Sequence, residues 1–179
     1  MNTDRRILLP PSFCSAPAPT LAPALLGKLL CRRTPQGVIR LRITETECYF
    51  GEEDTACHAH HGRTPRTDVM YGAPGRAYVY LCYGIHSLLN IVSGPEGHPE
   101  AVLIRGVEGI VGPGRVTKAL AIDRTLNRAP LTPESGLWLE DDGFVPNFVT
   151  DCRVGIGYAS AADQERLWRF LSTSDDREK

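Results

Sequence analysis

No apolar run in these 179 residues exceeds a few positions, whereas a bilayer-spanning helix needs about 20. Membrane-helix classes are therefore excluded. No Cys-x-x-Cys pair occurs among the six cysteines, at 14, 31, 48, 57, 82 and 152. Such scatter reads as reduced thiols in a cytoplasmic protein and not as a disulfide framework. Arg5 and Arg6 precede Ile7-Leu8-Leu9, but Pro10-Pro11 ends that run, so it does not read as a signal peptide. Lysine is scarce, confined to Lys28, Lys118 and Lys179. Net charge is also lacking: a balance of −1 argues against indiscriminate coating of nucleic acid.

What is present describes a globular chain. Hydrophobic residues make up 42% and charged residues 23%, and a chain of this length can bury roughly 70% of its unfolded surface. The near-neutral total conceals an asymmetry. Residues 1–128 carry 15 Lys and Arg against 11 Asp and Glu, and residues 129–179 carry 5 against 10. One basic face is therefore available. With 17 glycines and 14 prolines, turns are frequent and elements short.

Residues 1–19 hold four prolines and no periodic pattern, and read as a flexible N-terminal arm; residues 20–171 read as one domain, and residues 172–179 as a polar tail. Thr20 is placed to cap a helix that stacks Leu21, Leu25 and Leu29. Over residues 38–50 the period becomes two, which puts Leu41, Ile43, Glu45, Glu47 and Tyr49 on one strand face. Residues 51–76 read as a long polar loop. Residues 77–81 and 85–93 form a hairpin with Tyr83-Gly84 at its turn. Another strand follows at 101–107, a helix at 115–122 and a last short strand at 154–157. Ser160 and Asp163 are spaced as a loose capping box before Leu167-Trp168-Arg169-Phe170.

Several groups have chemical potential. Two carboxylates and a tyrosine on an otherwise apolar strand face offer a general base at a pocket mouth, or simply a solvated strand end. Cys57-His58-Ala59-His60-His61 contains zinc-type donors, but no second cluster stands at ligand spacing, so no metal or other cofactor is expected. Tyr83 at a hairpin tip is suited to wedge into a base stack, or it merely closes the turn. Arg105 interrupts an apolar strand, and a buried guanidinium must find an anion. Gly112-Pro113-Gly114 before a helix offers backbone N–H groups to a phosphate, or is a plain turn into a helix. It also resembles a helix-hairpin-helix turn, although the apolar helix that should precede it is missing.

A set of short motifs follows in order: Leu26-Gly27-Lys28-Leu29-Leu30, Ile43-Thr44-Glu45-Thr46-Glu47-Cys48-Tyr49, Asp54-Thr55-Ala56-Cys57-His58, Gly62-Arg63-Thr64-Pro65-Arg66, Tyr78-Val79-Tyr80-Leu81-Cys82-Tyr83-Gly84, Val102-Leu103-Ile104-Arg105 and Arg153-Val154-Gly155-Ile156-Gly157. Across residues 25–157 the chain resembles the alkyladenine DNA glycosylase family, also called 3-methyladenine DNA glycosylases. The resemblance implies a single α/β (α+β) domain with a curved antiparallel β-sheet and surrounding helices, like the C-terminal domain of formyltransferases. It implies a monomer that flips alkylated or deaminated purines out of double-stranded DNA and hydrolyses the N-glycosidic bond, in the cytoplasm or at a bacterial nucleoid. By matched position, Glu47 is the catalytic base, and Arg105 with the carbonyl of Val154 holds the attacking water. Tyr49, His58 and Tyr80 stack on the flipped base; the electron-rich faces of Tyr49 and Tyr80 should favour a cationic one by cation–π attraction. Asn90 screens out guanine, and Tyr83 intercalates. Arg63, Arg66, Arg115 and Lys118 are candidate phosphate contacts. Three segments depart from the family pattern. The stretch after Arg105 is short, GPGKL becomes Gly114-Arg115-Val116, and a Trp is lacking near residues 160–164. Two rival readings are a metal-dependent hydrolase using Cys57, His58 and His60 with Glu47, and a damage-recognition module that releases no base.

A glycosylase that also cuts the strand needs an amine to form a Schiff base with the sugar. None of the three lysines falls on the strands carrying Glu47, Tyr80 or Arg105. Borohydride treatment with lesion duplex is therefore expected to trap no covalent protein–DNA adduct, and the product should be an intact abasic site.

Overall fold

Val38, Ile39, Ile43, Thr44 and Thr46 carry branched β-carbons, which suit a pleated strand better than a helix. They lie in the longest element of the chain. The computed structural model describes residues 6–173. In chain order it contains strand β1 (Ile7–Leu9), helix α1 (Ala18–Leu25), and strands β2 (Leu29–Thr34), β3 (Gly37–Phe50), β4 (Ala77–Cys82), β5 (His86–Val92), β6 (Glu100–Val107) and β7 (Ile110–Val111). Helix α2 (Pro113–Ala119), strands β8 (Leu137–Asp141) and β9 (Phe148–Asp151), helix α3 (Ala161–Gln164) and strand β10 (Arg169–Ser172) complete it.

The strands pair antiparallel in the order β1-β8-β2-β3-β6-β5-β4, with β10 joining β3 to β9 and β7 lying on β6. The sheet curls into a half-barrel, giving a mixed α/β domain. On one side, α1 delivers Leu21 and Leu25, and α2 and the residue that follows it deliver Val116 and Leu120, to a core with Leu30, Ile43, Cys48, Ile91, Val102 and Ile104. On the other side, residues of the 51–76 loop cover Tyr78, Val92 and Ala101 with Cys57, Ala59, Val69 and Met70. That loop is therefore partly a second core, not a polar excursion. Among the described residues, no helix is long and apolar enough to cross a membrane.

Several expectations need correction. Within the expected arm, residues 7–9 pair with β8, and Cys14 and Ala18 are fully buried. Prolines at the start of a helix are compatible with it, and α1 begins at Ala18, with Thr20 inside it and not capping it. Leu29 is not in that helix but opens β2, because Gly27 at φ 85° turns the chain. A Cβ at Gly27 would lie 2.6 Å from the Pro146 ring and 2.8 Å from the Phe144 carbonyl, so a side chain there is excluded. Residues 154–157 are a turn, not a strand. Ser160 does cap a helix, accepting from the Asp163 N–H at 3.2 Å, but α3 lasts one turn before Arg169 enters β10. The polar tail falls largely on residues 174–179, outside the described residues.

The most consequential correction concerns β3. Strict alternation puts Ile43 on the face of Glu47. The β3–β6 register instead shifts between Ile43 and Thr46. A bulge of this kind re-aims side chains. Ile43, Thr46 and Cys48 all turn to the helical core, where Thr46 Oγ1 donates to the Ala22 carbonyl at 2.8 Å. Glu45, Glu47 and Tyr49 take the opposite face. Ile43→Ala should therefore lower unfolding free energy by roughly 2–5 kcal/mol, as a cavity in a core. Val38→Ala, on an exposed part of the same strand, should stay within about 0.5 kcal/mol. Urea titration of both variants measures the difference.

Candidate active site

Past the bulge, β3 brings Glu47 against β6, where it pairs with Leu103 and stands close to Arg105. The Glu47 side chain is fully buried. A buried carboxylate needs several donors to remain ionised. Oε1 accepts the Val154 N–H at 2.7 Å and lies 3.5 Å from Arg105 Nε; Oε2 accepts the Tyr49 hydroxyl at 2.8 Å. Burial nevertheless dominates, and the Glu47 carboxyl is held above the usual carboxylate range against the pull of Arg105 and its other donors. Glu45 serves differently. It accepts from both Arg105 Nε and Arg169 Nη1 at 3.1 Å, which anchors β3, β6 and β10 together.

Above Glu47 opens a cleft of about 860 Å³. Tyr49, His58, Tyr78, Tyr80, Asn90, Arg105 and Val154 all line it, so the candidate catalytic and base-binding positions converge although they are spread over more than a hundred residues. The His58 ring stands edge-on to Tyr80, with centroids 4.6 Å apart, and its Nδ1 lies 3.0 Å from the Tyr78 hydroxyl. Burial, aided by Arg66, pushes the His58 pKa down to about 4, so the ring is neutral at pH 7. Asn90, on β5, is buried and donates to the Tyr78 carbonyl at 3.3 Å.

At the cleft mouth, Tyr83 and Gly84 have φ of 51° and 70°, and the Ile85 N–H closes the turn on the Cys82 carbonyl at 3.1 Å. Two left-handed residues form the turn type that fits twisted hairpin strands. For a tyrosine that conformation costs about 1–2 kcal/mol. The ring is 92% exposed, so no protein contact offsets the cost.

The basic candidates divide. Arg66, Arg115 and Lys118 line the cleft, and Arg63 does not: it pairs with Asp68 at 2.7 Å. Arg66 stands over the Tyr80 ring at 5.0 Å, inside the cleft. The Gly112-Pro113-Gly114 turn is not a ready phosphate cradle, because the Arg115 and Val116 N–H groups are both spent on the Gly112 carbonyl at 3.0 Å. The zinc-type donors disperse. Cys57 is buried in the second core with its thiol pushed up to about 12, His58 faces the cleft, and His60 Nδ1 donates to the Glu52 carbonyl. Among the described residues, no group of three or more His, Cys, Asp or Glu is placed to hold a metal.

Sequence reasoning missed Arg153 and Asp54. The Arg153 guanidinium is fully buried, binds both Asp54 oxygens at 2.6 and 2.9 Å, donates to the Cys48 carbonyl, and lies between the rings of Tyr49 and Trp168 at 4.9 and 5.0 Å. The signal was available. Arg153 directly precedes Val154, and the requirement of a buried arginine for an anion, applied to Arg105, applies here as well.

The methylpurine-DNA glycosylase family model matches residues 12–111 and 108–176 of the chain. A protein of Psychrobacter cryohalolentis named "Putative 3-methyladenine DNA glycosylase" is 46% identical, covering 91% of each chain. Proteins of the same name from Methanocella arvoryzae and Nitrosococcus oceani are 42% and 41% identical, each over 91% of this chain and 91% and 89% of their own lengths.

A reaction in which Glu47 takes a proton requires its ionised form. Because burial raises the Glu47 pKa, the rate should fall with acid through a limb above 4.5, the ordinary value. Arg105→Gln, which removes the largest opposing charge, should move that limb further up. His58, already neutral, should add no limb near 6.5. Single-turnover rates between pH 4.5 and 8 measure all three.

Proposed function

The chain belongs to the methylpurine-DNA glycosylase family, and from that premise we propose that it excises alkylated and deaminated purines from duplex DNA by flipping the damaged nucleotide into the cleft above Glu47. The observation that carries this reading is a fully buried carboxylate, held by two hydrogen-bond donors and faced by Arg105, beneath an aromatic-lined cleft.

A purine inside a duplex cannot reach Glu47 until it leaves the stack, at a cost of a few kcal/mol. Tyr83, exposed at a strained hairpin tip, fills the gap. The extruded base lies among Tyr49, His58 and Tyr80, with Asn90 as the polar side chain that tests the purine edge. Arg115 and Lys118 approach the backbone phosphates. Water sits between Glu47, Arg105 and the Val154 carbonyl. Arg105 is suited to this task, because Nε is taken by Glu45 while its other nitrogens have no protein partner among the described residues. As the C1′–N bond lengthens, positive charge grows on the sugar; Glu47 stabilises it and accepts the proton of the attacking water. The sugar keeps the hydroxyl, the base departs, and the strand remains intact. The enzyme acts as a monomer on duplex DNA, and its place of action is where the genome is.

The test is Glu47→Gln with duplexes that each carry one defined lesion. Base release should fall at least about 10³-fold, while damaged-duplex binding stays within a few-fold. Burial favours the uncharged form of Glu47, so the variant should also be no less stable at pH 7. Release near the unaltered rate by a folded variant would refute the assignment.

A further inference from the structure

The surface of the cleft carries four cationic side chains, Arg66, Arg105, Arg115 and Lys118, and no Asp or Glu among its lining residues. Glu47 lies beneath that surface and is faced by Arg105. The aromatic rings, moreover, already have cations on them. Arg153 stands 4.9 Å from the centre of Tyr49, and Arg66 stands 5.0 Å from the centre of Tyr80. The two differ in one respect. Arg153 is neutralised by Asp54 at 2.6 Å, whereas Arg66 has no carboxylate partner among the described residues. The acid nearest in sequence, Asp68, is shared by Arg63 and Arg128, each at 2.7 Å. An uncompensated positive charge thus sits on the ring against which the flipped base would stack, beside Tyr78 and His58.

We propose that Arg66 is a specificity-determining residue that selects purines by charge, favouring neutral deaminated bases over cationic alkylated ones. The inference rests on the glycosylase reading and narrows its substrate class. A base that already carries a positive charge must stack beside a Tyr80 ring that already carries a guanidinium, and the cation–π attraction that should welcome it is already engaged. A neutral base meets no such repulsion.

The effect continues through the reaction. When C1′–N9 of a neutral nucleotide breaks, the bonding electron pair stays on the purine, which leaves as an anion. Water oxygen bonds to C1′, and its proton passes to Glu47 and finally to the purine. A guanidinium over the base plane stabilises that developing negative charge without giving up a proton. His58 is unsuited to help as an acid, because it is neutral well below pH 7. A cationic base leaves neutral and gains nothing from Arg66.

Arg66→Gln separates the two classes. In single-turnover assays, release of hypoxanthine should drop roughly tenfold or more, while release of 7-methylguanine should stay equal or rise. Arg66→Lys, which keeps the charge, should retain most hypoxanthine release. Equal losses on both lesions, or no change on either, would overturn the proposal; equal losses with weaker binding of undamaged duplex would make Arg66 a backbone contact. Binding of the same two duplexes to Glu47→Gln, with and without Arg66→Gln, tests charge preference where no base is released. Failure of the unaltered protein to release either base would instead refute the glycosylase reading, while the binding comparison would still decide the role of Arg66.

Discussion

Arg153 ties together three segments of the chain, two of them distant from it in sequence. Its guanidinium reaches the Cys48 carbonyl in β3, both oxygens of Asp54 in the loop beyond it, and the Asp163 carbonyl in α3. Asp54 in turn accepts from the Phe50 and Ala56 N–H groups, so the loop leaving β3 is folded around the pair. Two buried ions give up several kcal/mol of hydration each, and a hydrophobic pair of the same volume is often as stable. What such a pair would not supply is position. Because Arg153 is fixed, the next residue, Val154, presents its N–H to Glu47, and Tyr49, lying on the guanidinium, presents its hydroxyl to the same carboxylate. The arrangement of donors around Glu47 depends on a charge pair that does not line the cleft.

Glu47 itself stands against the stability of the fold. A carboxyl whose pKa is raised on folding binds its proton more tightly in the native state, so its contribution is most favourable in acid and is lost as pH rises through the folded pKa. Once ionised, the buried group is therefore a destabilising element. The core on the opposite face of β3, with Ile43, Thr46 and Cys48 packed beneath α1, offsets that cost. The bulge separates these two functions of one strand. Without the register shift, Ile43 would stand on the face of the carboxylates and leave the core.

The cleft combines rigid and projecting parts. Its floor is sheet, in which Tyr78 pairs with Asn90 and Leu103 pairs with both Glu47 and Asn90. Its lip is the β4–β5 turn, where a tyrosine is held in a backbone conformation that glycine would adopt more easily. Strain at an exposed aromatic tip, backed by a well-paired hairpin, is consistent with a side chain whose partner is outside the protein. Four cations around the opening suit a polyanionic substrate, and the position of Arg66 on Tyr80 extends that positive field over an aromatic ring of the cleft.

Much of this was legible in the sequence. Period-two patterning revealed β3, the Tyr83-Gly84 turn between two strand-forming runs revealed the β4–β5 hairpin, and a short apolar run revealed β6, because each of these signals is local. The family motifs marked Glu47, Tyr49, His58, Tyr80, Tyr83, Asn90, Arg105 and Val154 by residue type and order, and all of them except the outward Tyr83 tip meet within one small volume. Strands β1, β2, β8, β9 and β10 were hidden, since each is short and owes its conformation to partners distant in the chain. The N-terminal prolines suggested an arm because local propensity says nothing of the core that buries Cys14 and Ala18. The bulge in β3 was equally invisible: a register shift is a property of two strands, not of one. The sequence by itself determined which groups are candidates for the chemistry, because a carboxylate, a guanidinium or an aromatic ring brings its reactivity wherever it is placed. Only the tertiary structure decided that Arg153 belongs to Asp54, that Arg63 belongs to Asp68, and that Arg66 stands over Tyr80 with no carboxylate partner among the described residues, because pairing of charges follows from distance across the fold and not from separation along the chain.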